Sequence, residues 1–238
     1  MRTLFFSLLL LLTSYTASAQ LVLHYDFSRS KATKVRDLSG HQNHGTLHGS
    51  ATIERIGKQR VVNLGNNEGY IDMGAAIGRT LQQSEAFTVA VRYLVSPEAS
   101  LKGNGYFLWA FSTLQLNTKT EGRYHAYKLN IQRSENSIGG WTRETLMDVG
   151  KPSDKGVWQY AVYTQDGTVG RLYVNGQLVA QNDEMFSMQT TFPDDAPAYN
   201  WIGRAPFMGD AYLAGTLVDQ VRVYTEALTA EQVAQLSK

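Results

Sequence analysis

The chain has 238 residues, carries 22 Lys and Arg against 21 Asp and Glu, and contains no cysteine. Near-zero net charge makes nucleic acid and anionic membrane surfaces poor electrostatic partners, because both demand a marked excess of basic residues. The missing cysteines exclude a disulfide framework and thiol chemistry, so stability must come from the packed core.

The first element in chain order is an export signal. Arg2 precedes the apolar run Leu4 to Leu12, which is too short to span a bilayer, and Ala17-Ser18-Ala19 is a small-residue cleavage signal. Residues 1–19 therefore read as a signal peptide and 20–238 as one exported domain, periplasmic or secreted. A mature chain of about 220 residues buries roughly 70% of its unfolded surface, enough for a single core. No second apolar run follows that would insert in a membrane.

From Leu21 onward the hydrophobic period is two. Phe87 to Val95 alternates bulky with small or polar residues, as a half-buried strand does, and Tyr106 to Ser112 and Tyr124 to Gln132 behave alike. Val157 to Gln181 predicts a three-strand meander with turns at Asp166-Gly167 and Asn175-Gly176; Asn-Gly tolerates the positive φ that a two-residue hairpin requires. Val218 to Tyr224 is a β-branched strand. Thr229 to Leu236 then predicts a short helix, with Thr229 and Gln232 at capping-box spacing and Leu228 placed to staple onto Val233. Strands at about ten-residue spacing with glycine-rich turns predict an all-β sandwich or jelly roll.

Three groups of segments carry a family resemblance. They are His24-Tyr-Asp-Phe27 with Asp37-Leu-Ser-Gly-His-Gln-Asn-His-Gly-Thr-Leu47; Trp158 to Tyr163 with Leu172-Tyr-Val-Asn-Gly-Gln177; and Asn200-Trp-Ile-Gly-Arg204 with Gly215 to Tyr224 and Ala227 to Val233. In this order and spacing they resemble the concanavalin A-like, laminin-G-like jelly-roll domains of exported bacterial proteins. The resemblance implies a sandwich of two antiparallel sheets with a short C-terminal helix. It leaves function open, because the fold hosts lectins, carbohydrate-binding modules, glycoside hydrolases and lyases. Within these motifs Trp158 is expected to fill the core, and Tyr224 and Leu228 to seal the sandwich edge.

The resemblance also implies one structural calcium ion, with Asp26, Asp37 and Asp219 as carboxylate donors; calcium takes six to eight oxygens. The alternative is that Asp37 caps a turn, Asp26 accepts backbone hydrogen bonds and Asp219 pairs with an arginine such as Arg222. His41, His44 and His48 lie in a glycine-interleaved loop, where polar roles are expected ahead of a zinc site.

For glycoside hydrolysis two carboxyl groups must flank one bond. Asp183-Glu184, Asp194-Asp195 and the distant Glu135 and Glu144 form no such pair on a shared strand face. A lyase set around Tyr124, His125, Tyr127, Gln132 and Arg133 is divided between two strand faces, which separates His125 from Gln132.

The chain has 13 Tyr, 9 Phe and 4 Trp, more than a core of this size requires. Sugar C–H faces stack on aromatic rings, and their hydroxyls pair with planar polar groups. Trp109, Tyr124, Tyr127, Gln132, Arg133 and Trp141 are accordingly the expected carbohydrate contacts, with Trp141 on a loop. The leading expectation is non-catalytic binding of a polysaccharide or oligosaccharide. A glycoside hydrolase or polysaccharide lyase is the alternative, and a protein-binding envelope or adhesion module the third reading.

Overall fold

A computed structural model describes residues 19–100, 106–113, 126–130, 137–139, 147, 152–207 and 209–238. The expected signal peptide thus lies almost wholly outside the described residues.

Two antiparallel sheets form the body. The first contains β1 (Leu21–Tyr25), β4 (Thr52–Ile56), β5 (Gln59–Asn63), β7 (Ala86–Val95), β11 (Trp158–Asp166), β12 (Val169–Val174), β13 (Gln177–Asn182) and β15 (Thr216–Tyr224). Its order is β13-β12-β11-β7-β15-β5-β4. β1 and β5 share the far edge of β15: β1 pairs with residues 221–224 and β5 with 217–218. The second sheet contains β2 (Lys34–Val35), β3 (Gly45–His48), β6 (Tyr70–Asp72), β8 (Phe107–Ser112), β9 (Ala126–Asn130), β10 (Ser137–Gly139) and β14 (Tyr199–Ile202). Its order is β10-β9-β8-β14-β6-β3-β2. Three short helices, α1 (Ala75–Gln82), α2 (Met188–Thr191) and α3 (Ala230–Leu236), complete the description.

The period-two pattern explains which side of each strand faces the partner sheet. On β7, Phe87, Val89, Val91, Tyr93 and Val95 all point into the core between the sheets. From the second sheet Leu47, Ile71, Trp109, Phe111 and Ile202 meet them. This inter-sheet layer holds the largest fully buried side chains, among them Trp109, Tyr25, Tyr93, Tyr163, Phe27 and Phe87.

The predicted meander is present. The Tyr160 backbone N–H donates to the Asn175 side-chain oxygen at 2.8 Å, and Asn175 and Gly176 adopt φ of 51° and 79°. Both central turn residues are therefore left-handed, the geometry that matches the twist of the flanking strands. The terminal helix also forms as expected, with the Thr229 hydroxyl accepting from Gln232 N–H and the Gln232 side chain accepting from Thr229 N–H.

Two expectations are corrected. Trp158 does not fill the inter-sheet core. Ala161 and Tyr163 on the same strand take the inward positions, so alternation turns Trp158, Tyr160 and Val162 outward. Tyr224 and Leu228 do not seal the edge of the sandwich. They join Ala90, Tyr160, Val162, Tyr173 and Val233 in a second core, formed where α3 lies on the outer face of the first sheet. β7 is consequently buried on both faces over much of its length. Helices α1 and α2 were not read from the sequence: α1 starts after Gly74 with no side-chain cap to mark it, and α2 has only four residues.

Because α3 is anchored by one apolar cluster and one capping box, each has a separate effect. Thr229→Ala should cost about 1 kcal/mol, and Leu228→Ala about 3 kcal/mol. Thermal or urea unfolding of the two variants checks both, and the larger loss is expected at Leu228.

Candidate functional site

The expected carbohydrate contacts are not brought together as a group. Trp109 is fully enclosed between the sheets, with its ring 5.4 Å from Phe111 and 6.1 Å from Tyr163, so no face of it meets solvent. It is a core aromatic, because β8 turns it inward opposite Ile202. Tyr127 lies on β9, its backbone paired with Phe111. Tyr124, Gln132, Arg133 and Trp141 lie outside the described residues.

A different aromatic group stands on the outer face of the second sheet. Leu47, Ile71 and Ile202 point into the core, which turns His48, Tyr70, Asp72, Tyr199 and Trp201 outward by alternation. Register then makes neighbours of them: His48 is opposite Tyr70, and Asp72 is opposite Trp201. Directly opposed side chains on one sheet face approach closely enough to pack. The His48 and Tyr70 rings stack at 4.7 Å and 11°, while Trp201 meets Tyr70 at 5.6 Å and Tyr199 at 5.3 Å, edge to face in both cases.

Arg204 closes this group. It follows Gly203, whose φ of 84° turns the chain sharply after β14. Its guanidinium lies 4.1 Å from the Trp201 ring centroid, 4.6 Å from Tyr70 and 5.3 Å from Tyr212. Trp201 is only 2% exposed, yet it is covered by Arg204 and its aromatic neighbours and not by the inter-sheet core. Burial raises the Tyr70 hydroxyl above its ordinary pKa, and the charge and hydrogen bond of Arg204 partly oppose that. On the loop leading to Tyr212, burial also raises the Asp210 carboxyl. The group offers half-exposed rings, a planar cation and phenol hydroxyls on one face. Such a surface suits flat C–H faces and hydroxyl oxygens together. The sequence signal that could have found it is the alternation in Tyr70-Ile71-Asp72 and Tyr199-Asn-Trp-Ile202; the Asn200 to Arg204 motif was read for its fold content alone.

The three expected calcium donors are engaged separately. Asp37 Oδ1 accepts from His24 N–H at 2.8 Å and Ser39 N–H at 2.9 Å; Oδ2 accepts from the Ser39 hydroxyl at 2.7 Å and Asn43 N–H at 2.9 Å. A carboxylate has about four acceptor sites, so chain donors fill all of them. Asp26 accepts from the backbone and hydroxyl of Ser28. Asp219 pairs with Arg92, not with Arg222. Among the described residues no group of three or more His, Asp or Glu is placed to hold a metal ion. As placed, these carboxylates do not fit a calcium cage.

The histidines divide in the same way. His44 Nδ1 accepts from Asp37 N–H at 3.1 Å, His48 stacks on Tyr70, and His41 is exposed. The motif from Asp37 to Leu47 is thus a latch: Asp37 ties the β1 backbone at His24 to its own loop, and the Tyr25 hydroxyl donates to Asn43 O at 2.7 Å.

Comparison with known proteins agrees with this architecture. The family model described as the concanavalin A-like lectin/glucanases superfamily matches residues 67–234. The chain belongs to this superfamily. Among solved structures, domain 4 of AbnA, a GH43 extracellular arabinanase from Geobacillus stearothermophilus in complex with arabinotriose, is similar at 19% identity and a TM-score of 0.68, over 92% of this chain and 99% of that one. A structure of botulinum neurotoxin type C, whose cell entry is described as dependent upon interaction with two ganglioside molecules, matches at 12% identity and a TM-score of 0.67, over 92% of this chain and 50% of that one. A Trypanosoma rangeli sialidase mutant displaying trans-sialidase activity matches at 14% identity and a TM-score of 0.65, with 92% of this chain covering 32% of the sialidase. At these identities the likeness establishes the fold. No curated protein matches the chain. The superfamily model spans the Tyr70, Trp201, Arg204 and Tyr212 group but begins after the Asp37 latch.

The latch has an acid dependence. Burial by itself raises the Asp37 carboxyl, but the hydrogen bonds from Ser39, His24 and Asn43 together outweigh it and hold the pKa below the ordinary value. A lowered carboxylate pKa contributes stability above the unfolded value, about 3.9, and loses it as pH falls through the folded value. Asp37→Asn should therefore lower stability by about 2 kcal/mol at neutral pH. The difference from the parent protein should shrink below about pH 4, as measured by denaturant unfolding across a pH series.

Proposed function

We propose that the protein is a non-catalytic, lectin-like module that binds carbohydrate on the outer face of its second sheet, at the aromatic group closed by Arg204. The single observation that carries this reading is the position of that guanidinium over Trp201, Tyr70 and Tyr212. The arginine is pre-ordered by the rings, so little side-chain freedom is lost when its outward N–H groups meet sugar oxygens. The half-exposed rings of Tyr70, Tyr199 and Tyr212 supply the flat surface for sugar C–H faces. Oligosaccharide is a reasonable first ligand class because the domain of AbnA is in complex with arabinotriose.

Export belongs to the same reading. Residues 1–19 act as the signal peptide, and residues 20–238 form the laminin-G-like domain that works outside the cytoplasm. Among the described residues no helix is long and apolar enough to cross a membrane.

Two measurements test these statements. Retention on immobilised arabinan oligosaccharides and sialylated glycans should be seen without product release. Arg204→Ala and Tyr212→Ala should each weaken it at least tenfold, about 1.4 kcal/mol, in protein that still unfolds cooperatively. Retention unaffected by both variants would remove this site. For export, N-terminal sequencing of protein recovered from the periplasm or medium should begin at Gln20; an intact Met1 there would refute cleavage.

A further inference from the structure

A cleft lies on the other sheet of the molecule, away from the Arg204 group. Where α3 ends on the outer face of the first sheet, the surface opens into a cleft of about 810 Å³. That is within the range of pockets enclosing a small ligand, about 300–1,000 Å³. Its floor is built by alternation, since Val221 and Val223 point into the core and turn Gln220 and Arg222 outward beside Tyr160 and Trp158.

Six amide side chains line the cleft; Gln159 spends its NH₂ on Asp154 O, and three others have their oxygen engaged. The Tyr160 hydroxyl donates to Gln220 Oε1 at 3.0 Å, Tyr160 N–H to Asn175 Oδ1 at 2.8 Å, and Thr229 N–H to Gln232 Oε1 at 2.8 Å. In all three amides the oxygen is already used by the chain, which leaves the NH₂ group as the part offered to a ligand. The charged groups add to this. Asp219, the aspartate in the cleft wall, is taken by Arg92, whose guanidinium lies 4.7 Å from the Trp158 ring centroid. Among the described residues Arg222 makes no ion pair; its guanidinium is hydrogen-bonded to the Tyr160 and Tyr224 hydroxyls, and its buried Nε has no hydrogen-bond partner. Lys238 adds a further cation at the rim.

A cleft that presents amide NH₂ groups and an arginine without a carboxylate calls for a ligand rich in acceptors and negatively charged. A planar guanidinium matches a carboxylate better than it matches a neutral hydroxyl. The half-buried indole of Trp158, with Arg92 over one part of it, adds apolar surface beside these donors. We infer that this cleft binds a carboxylate-bearing sugar, a uronic acid within an oligosaccharide, with the carboxylate at Arg222 and the ring oxygens and hydroxyls at the Gln220 and Gln232 amides. The site is separate from the Arg204 group and does not depend on that group's role.

The test uses the full chain and trigalacturonic acid, with maltotriose as the neutral control and inorganic sulfate as the plain-anion control. In a titration followed by NMR, trigalacturonic acid should shift the Arg222 Nε–H and Trp158 indole N–H signals. Its affinity should exceed that of maltotriose and of sulfate at least tenfold, and Arg222→Gln should reduce it at least tenfold. Shifts confined to Trp201 and Arg204 would overturn the inference and leave the first site standing. Equal affinity for maltotriose would overturn the carboxylate assignment, and equal affinity for sulfate would overturn the sugar. If Arg222→Gln fails to fold, the signal map of the parent protein decides alone.

Discussion

The position of β15 in the middle of the first sheet is the constraint on which the rest depends. This strand comes from the end of the chain, yet it pairs with β7 along one edge and with β1 and β5 along the other. Until it is inserted, β7 and β1 have unpaired backbone groups, which are costly to bury. The inter-sheet core also needs it, because Val218, Val221 and Val223 lie beside Tyr93, Val91 and Val89 on the inward side of the sheet. The same strand carries Asp219, Gln220 and Arg222 on its other side. One element thus closes the fold and builds a wall of a ligand-sized cleft. Such long-range pairing must overcome loop-closure entropy before it is rewarded.

The two outer faces solve the same physical problem differently. A sheet in a sandwich has one side in the core and one side that must meet water, another element or a ligand. On the first sheet α3 covers part of that side with a second apolar core, and the cleft beside it is lined mostly by polar side chains. On the second sheet no described helix lies over the His48, Tyr70 and Trp201 group. It is covered by Arg204 instead, which shields the tryptophan while keeping a charged edge in solvent. Half-exposed aromatics held this way are rigid, and rigidity reduces the ordering cost of binding.

The loop from Asp37 to Leu47 shows how a run of polar residues serves structure. Its carboxylate is saturated by four donors, three of them from its own loop, and the fourth from β1. Leaving those donors unpaired in a half-buried loop would be costly. Metal chemistry is therefore not needed to explain the aspartate, and the neighbouring His44 is explained by the bond it accepts from Asp37 N–H.

Local pattern was sufficient to read much of the scaffold. The alternation of Phe87 to Val95, the Asn175-Gly176 turn and the Thr229 to Gln232 capping box each depend on residues close together in the chain, and each appears as read. The candidate sites were not legible in this way. Trp109 looked available for a sugar because its type is right; only its pairing opposite Ile202 turns it into the core. Trp158 looked like core for the same reason and lies outward under Arg92. His48, Tyr70 and Trp201 come from separate strands that register makes neighbours, and the turn at Gly203 and the loop at Tyr212 add Arg204 and the last ring. The sequence by itself determined the all-β class, the hairpin and the helix cap, since their physics acts over a few residues. Only the tertiary structure decided which aromatics face solvent and which polar groups remain available, because the face of a strand and the partner of a side chain are set by segments far away in the chain.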